Sequence, residues 1–179
     1  MSEYAINEQP KPRNNDTEDP IAVRTFTQRD ATMVERLSRE GLLPGLVGCD
    51  PQHSGRAAQS YLASTREHFW VAEVERGLIG TVALAQVTRD ISCLHCLRVA
   101  PPWQADGVVA RRLVGVATAH ARAVGFLKLI LEAPPTVQPQ VVSYFGLLGF
   151  QFSRTREVDG KNNIEFYVNL YQRPQLPPE

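Results

Sequence analysis

Two adjacent prolines, Pro101 and Pro102, separate a strand-forming run that ends at Val99 from an amphipathic run that opens just after Gly107. No other feature constrains the chain as much. Proline has no N–H for a ladder and fixes its own φ, so the strand must stop there. Gly107 has the conformational freedom to turn the chain into a helix. Val109, Leu113, Val116 and Ala117 then share one face at helical spacing, with Arg111, Thr118 and Arg122 on another. Gly125 stands where a glycine stop is expected. A strand, a stiff loop and a long helix in this order belong to a fold that lays helices on a sheet.

The flanking sequence extends the pattern. Alternation and turn residues predict strands over 21–26, 68–75, 78–88, 91–99 and 127–132, and a closing hairpin of 150–157 with 163–171 around Asp159-Gly160. Thr27 with Asp30 resembles a capping box before a helix to residue 40, and further helices are predicted over 55–65, 108–124 and 138–148. The order β-α-α-β-β-β-α-β-α-β-β places the chain in the α/β (α+β) class, a mixed central β-sheet with helices on both faces. One domain over residues 21–172 is expected, with a polar arm at 1–20 holding Pro10, Pro12 and Pro20 and an extended tail at 173–179.

Charge and cysteine usage narrow the class. Among 179 residues, 19 Lys and Arg balance 19 Asp and Glu, so no basic surface recommends nucleic acid as a partner. No apolar run has membrane-spanning length and no N-terminal run reads as a signal peptide, so a cytoplasmic protein with no membrane partner is expected. Cys49, Cys93 and Cys96 are few and odd in number, which fits thiols in a reducing compartment. Cys93-Leu-His-Cys96 has the spacing of half a zinc site or a redox pair, but no second pair of ligands follows, and residues three apart in a regular strand face opposite ways. No metal is expected.

The helix start after Gly107 offers unpaired N–H groups and the positive end of a dipole. Phosphate is the usual occupant of such a place, and an ordinary ligand-free connection is the alternative. The wider pattern bears on that choice. Leu97-x-Val99-x-Pro101-x-x-Gln104-x-x-Gly107 is similar to the cofactor signature of the GNAT superfamily of acyl-CoA-dependent N-acetyltransferases. Phe69-Trp-Val-Ala-Glu73 with Leu78-Ile-Gly-Thr-Val82 resembles that family's central hairpin, and Tyr144-Phe-Gly-Leu-Leu-Gly-Phe150 resembles its F-Y-x-x-L-G-F segment. The resemblance covers roughly residues 21–171.

It implies that the anion is the pyrophosphate of coenzyme A, cradled by amides of Gln104, Ala105, Asp106, Gly107, Val108 and Val109. It also implies splayed central strands, with the pantetheine arm between 91–99 and 127–132, paired to backbone near Leu97 and Val99. Gln138 falls where the family often has an asparagine that contacts this arm, and Phe145 falls where it has a general-acid tyrosine beside the thioester. Acetyl-CoA is the implied donor.

Amide formation needs a base for the amine and donors for the oxyanion. His95 is the catalytic candidate. Imidazole titrates near neutrality, and strict alternation puts His95 on the same face as Leu97. Leu94-His-Cys-Leu-Arg-Val99 resembles the strand that carries basic histidines in serotonin N-acetyltransferases, with Cys93 replacing a second histidine. Three positions depart from the family: Val109 for a small residue, Asp106 in the phosphate loop, and Phe145 for tyrosine. Tyr144 is adjacent but about 100° round the helix.

Arg111 and Arg112 read as a solvated face, Phe69 and Trp70 as core, and His120 as a cation near its helix end. His53 and His68 have no partner legible in the sequence. The resemblance places the acceptor site around residues 41–60 and the last hairpin. Leu42, Leu43, Leu46 and Val47 there favour a small or partly apolar amine over a polycation. The expected function is acetyl transfer from acetyl-CoA to a primary amine. The alternatives are a coenzyme A-binding relative with weak or lost catalysis and a ligand-free interaction domain. A homodimer is left open.

Overall fold

The computed structural model describes residues 21–41, 54–133, 139–158 and 160–171. The arm, the 42–53 loop with Leu42, Leu43, Leu46, Val47, Cys49 and His53, residues 134–138 with Gln138, Asp159 and the tail lie outside the described residues. The strands are β1 (Ala22–Thr25), β2 (His68–Val74), β3 (Gly77–Gln86), β4 (Ile91–Val99), β5 (Lys128–Ala133), β6 (Gln151–Val158) and β7 (Lys161–Asn169). The helices are α1 (Ala31–Glu40), α2 (Ser54–Tyr61), α3 (Val108–Ala123) and α4 (Pro139–Leu147). Element order matches the sequence reading, with ends shifted by about a turn or less.

All seven strands join one sheet in the order β1-β2-β3-β4-β5-β7-β6. Every neighbouring pair is antiparallel except β4 and β5, which run parallel. That parallel ladder is short. It pairs Ile91, Ser92 and Cys93 with Lys128, Leu129 and Ile130 and goes no further. From Leu94 onward the two strands part, so the sheet opens at its centre.

A large apolar core fills the α3 side. Val109, Leu113 and Ala117 of α3 meet Leu94, Leu97 and Val99 of β4, with Phe126, Phe145 and Phe166 closing the cluster. Burying one such leucine or phenylalanine side chain contributes roughly 1.5–3 kcal/mol. On the other side a smaller cluster joins Val34 of α1 and Ala58 of α2 to Phe69, Val71 and Ala83. Phe26 meets Phe69 there edge to face, 5.5 Å between centroids.

Local chemistry sets the helix limits. The capping box of Thr27 and Asp30 is present, but it caps a short 3₁₀ turn, Gln28–Asp30, that leads into α1. The Asp30 carboxylate accepts from the Thr27 N–H at 2.7 Å and from Arg24 Nη1 and Nη2 at 2.7 and 2.9 Å. The Arg24 guanidinium, against the cost of burial, holds this acid down at about 2. Helix α3 ends as expected: Gly125 has φ +86°, and the Phe126 N–H reaches back to Ala121 O at 2.9 Å.

His120 has ring partners beyond the helix end that the sequence suggested, and His68 has partners that the sequence did not show. The His120 ring packs 5.3 Å from both His68 and Trp70, instead of only facing the helix terminus. His68 Nε2 stands 2.9 Å from Thr25 Oγ1.

Candidate active site

Strand β4 is irregular where it matters. Arg98 pairs with Thr81, yet His95 pairs with Ala83, so Cys96 and Leu97 together oppose Val82. This is a β-bulge, and Cys96 takes φ +50°, the one positive φ at a non-glycine residue among those described. The buried Thr81 hydroxyl donates to the Cys96 carbonyl at 2.7 Å and pins the bulge.

The bulge corrects two expectations that assumed strict alternation. Leu94, Leu97 and Val99 all enter the α3-side core. His95 pairs with Ala83 of the smaller cluster and therefore faces α1 and α2, away from Leu97. Cys93, two residues before His95, shares that face, and Cys96 packs against the same cluster. The two thiols thus share a face instead of pointing apart. Among the described residues, no three His, Cys, Asp or Glu side chains converge as metal ligands.

On that face His95 meets Tyr61 of α2, with Nδ1 2.8 Å from the phenolic oxygen. Sequence reading missed Tyr61, because a contact across 34 residues leaves no local signal. The pair sets the tautomer. If Nδ1–H donates to Tyr61, Nε2 carries the lone pair and can take a proton; if Tyr61 donates, Nε2 carries the hydrogen. The same face continues into a groove of about 430 Å³, lined by Ile91, Lys128, Ile130, Arg154, Arg156 and Glu165. The buried Glu165 accepts from Lys128 at 3.0 Å and from Arg154 at 3.5 Å.

At the far end of β4 the loop is held tightly. Pro101–Trp103 forms a 3₁₀ turn, and the Gln104 side chain donates to Val99 O at 2.7 Å. Ala105 and Asp106 are exposed. Gly107 has φ +67°, and its carbonyl accepts the first helical bond, from Arg111 N at 3.0 Å. The Asp106 carboxylate accepts from the Val108 N–H at 2.9 Å.

Val109 does not crowd this loop. Its side chain is fully buried and points at β3, where a Cβ built on Gly80 would come within 3.0 Å of Val109 Cγ1. The valine at the small-residue position of the signature is thus accommodated by a missing side chain opposite, and its side chain stays clear of the helix start.

Two expectations about the cofactor's contacts change. The Ala100 N–H bonds to Ile79 O on the β3 side, so the Val99 N–H points into the central opening. There it donates to Gly41 O at 3.1 Å, and an arm paired at Val99 would have to displace Gly41. Phe145 is fully buried and stacks edge to face on Phe166 at 5.0 Å, so its ring belongs to the core and presents no surface to a ligand. Its neighbour Tyr144 is the residue of α4 that faces the loop: Tyr144 Cε2 lies 3.4 Å from the place a Gly107 Cβ would occupy.

Residues 33–150 match the family model described as acetyltransferase (GNAT) family. No curated protein sequence matches the chain. Among solved structures, Ard1 from Thermoplasma volcanium superposes with a TM-score of 0.66 at 15% identity, over 85% of this chain and 99% of that one. The putative acetyltransferase yncA from Salmonella typhimurium, solved with its cofactor acetyl-CoA, gives 0.65 at 13% identity, over 88% and 98%. A chimera of the spermidine N-acetyltransferase SpeG from Vibrio cholerae and hSSAT gives 0.64 at 18% identity, over 84% and 95%. At these identities the superpositions report a shared fold.

Proposed function

The chain belongs to the acetyltransferase (GNAT) family, and on that premise we propose that it moves acetyl from acetyl-CoA to the primary amine of a small molecule or peptide, with His95 as the base. One observation carries the proposal. The β4–β5 ladder stops at Cys93 and Ile130, and the strand that leaves it bears His95 on one face and ends in the Gly107 helix start. A donor held by its pyrophosphate at that start and by its arm in the opening brings the thioester to the middle of β4.

His95 acts from the acceptor side. With Nδ1–H given to Tyr61, Nε2 accepts the proton that the amine loses as its nitrogen attacks the thioester carbon. The C–S bond then breaks and the departing thiolate takes a proton from the His95 imidazolium, which restores the base. Backbone N–H groups of β4 near Leu97 are the nearest candidates to stabilise the oxyanion. The loop amides from Gln104 to Val109 bind the pyrophosphate and Gln138 the arm. A family member with no membrane partner and a cytoplasmic location fits this reading, and no helix among the described residues is long and apolar enough to cross a membrane.

A second reading, a coenzyme A-binding relative with weak catalysis, draws on three observations. Phe145 lacks a hydroxyl, Gly41 occupies the Val99 amide, and Asp106 occupies the Val108 amide. Thiol release from acetyl-CoA, measured against amino acids, arylalkylamines, polyamines and peptides, decides between them. Amine-dependent release supports transfer. Binding of acetyl-CoA with no release against any amine leaves the second reading.

A further inference from the structure

The phosphate end of the donor site contains a group in an unfavourable position. The Tyr144 hydroxyl is buried and has no hydrogen-bond partner among the described residues. Leaving a buried hydroxyl unpaired costs about 1–3 kcal/mol. Phenylalanine, present at the next position, would avoid that cost. The phenol is also kept protonated: burial raises its pKa, and of its charged neighbours Arg111 lowers it while Asp106 raises it. Among the described residues Tyr144 is therefore an O–H donor lacking an acceptor.

Its surroundings point to an anion. A Cβ on Gly107 would lie 3.4 Å from Tyr144 Cε2 and 3.3 Å from Arg111 Nη1, so this glycine sits between a phenol and a guanidinium. Arg111 Nη2 donates to the Asp106 carbonyl at 3.0 Å. The Asp106 side chain already fills the role of the missing anion, because its carboxylate is bonded to the Val108 N–H at the helix start. Asp106 is exposed, so that carboxylate can turn out into water without a buried partner being lost.

We propose that Tyr144 and Arg111 are side-chain ligands of the donor's pyrophosphate, and that Asp106 is a resident anion which competes with that pyrophosphate for the Val108 amide. The proposal rests on the reading of this loop as the donor site and adds its side-chain recognition and an internal competitor. With Asp106 in place, its charge offsets Arg111 and the helix dipole, and the Val108 amide has its acceptor. When a phosphate arrives, Asp106 leaves, the amide and the guanidinium turn to phosphate oxygens, and the Tyr144 hydroxyl gains its acceptor.

The test is calorimetric titration of coenzyme A into the parent, Tyr144→Phe and Asp106→Asn, with the melting temperature of each unliganded protein as the folding control. Asparagine still caps the Val108 N–H but carries no charge. Tyr144→Phe deletes only the unpartnered oxygen. The expected shifts have opposite signs: Kd rises about tenfold in Tyr144→Phe and falls about tenfold in Asp106→Asn, each equivalent to about 1.4 kcal/mol. A merely structural tyrosine would leave Kd unchanged and the melting temperature equal or higher. Unchanged affinity in either variant, or shifts of the same sign, overturns the proposal while leaving the donor site standing. A parent that fails to bind coenzyme A at millimolar concentration brings down the donor-site reading, and this inference with it.

Discussion

On the α3 face of β4, Leu94, Leu97 and Val99 lie in a closed apolar core, and the loop beyond them is stapled by Gln104. On the opposite face, Cys93, His95 and Cys96 lie beside a smaller cluster, and His95 bonds to a phenol from α2. The first face is rigid because apolar burial and a proline-bound loop allow little else. The second is polar at its centre and continues into the groove lined by Lys128, Arg154 and Glu165. One residue inserted at Cys96 separates the two, so a single strand packs a closed core on one side and presents an imidazole on the other. The comparison teaches that the bulge, more than any one side chain, makes the strand two-sided.

Among the expected effects on binding and stability, the largest breaks the donor side alone. Acetyl-CoA at 100 times its Kd should stabilise the folded protein by about 2.7 kcal/mol. Gly107→Glu should abolish that stabilisation, because φ +67° disfavours a side chain and a new carboxylate would enter the phosphate site beside Tyr144. A normal ligand-induced rise in melting temperature for this variant would place the donor elsewhere.

Next, Thr81→Val tests the bulge. It leaves the Cys96 carbonyl without its donor at nearly constant shape, and should cost about 1–3 kcal/mol in urea unfolding. Equal stability would mean that the bulge is held by other contacts.

Asp30 belongs to neither face and supplies the control. Its pKa is depressed to about 2 in the folded chain, so its stabilisation is present above the ordinary carboxylate range near 4 and is lost as pH falls through about 2. Asp30→Asn should cost about 1 kcal/mol at neutral pH, since Arg24 is partly exposed, and should flatten the loss of stability between pH 4 and 2. Its kcat/KM should stay parental; a large fall would show that the sheet edge is coupled to the site.

The smallest effect comes from Tyr61→Phe. If Nδ1–H donates to Tyr61, losing that acceptor should lower kcat/KM roughly fivefold, about 1 kcal/mol, with the acetyl-CoA KM unchanged. A gain in rate would instead show that Tyr61 donates and holds the unproductive tautomer.

The strands, the helices and the loop from Pro101 to Gly107 were legible because each rests on local chemistry: alternation, helical spacing, the proline pair and Gly107. The two-sidedness of β4 was not, because a bulge at a cysteine carries no glycine to announce it. A signal did exist. Leu94 and Leu97 are both apolar and three apart, which strict alternation cannot bury on one face. Phe145 was assigned by its place in a motif, but the direction of a helical side chain depends on the rotation of α4, which tertiary packing on Phe166 decides. The Tyr61–His95 bond and the Gly41–Val99 bond join segments far apart in the chain, and no pattern of residues encodes either one.

The most direct test of the account is the rate of thiol release from acetyl-CoA, with one accepted amine, across pH in the parent and in His95→Ala. The account predicts a rate that rises with pH in the parent, a loss of roughly 10²–10⁴-fold in kcat/KM in the variant with that limb gone, and a parental Kd for acetyl-CoA. A variant that releases thiol at the parental rate, with the same pH limb, would contradict it.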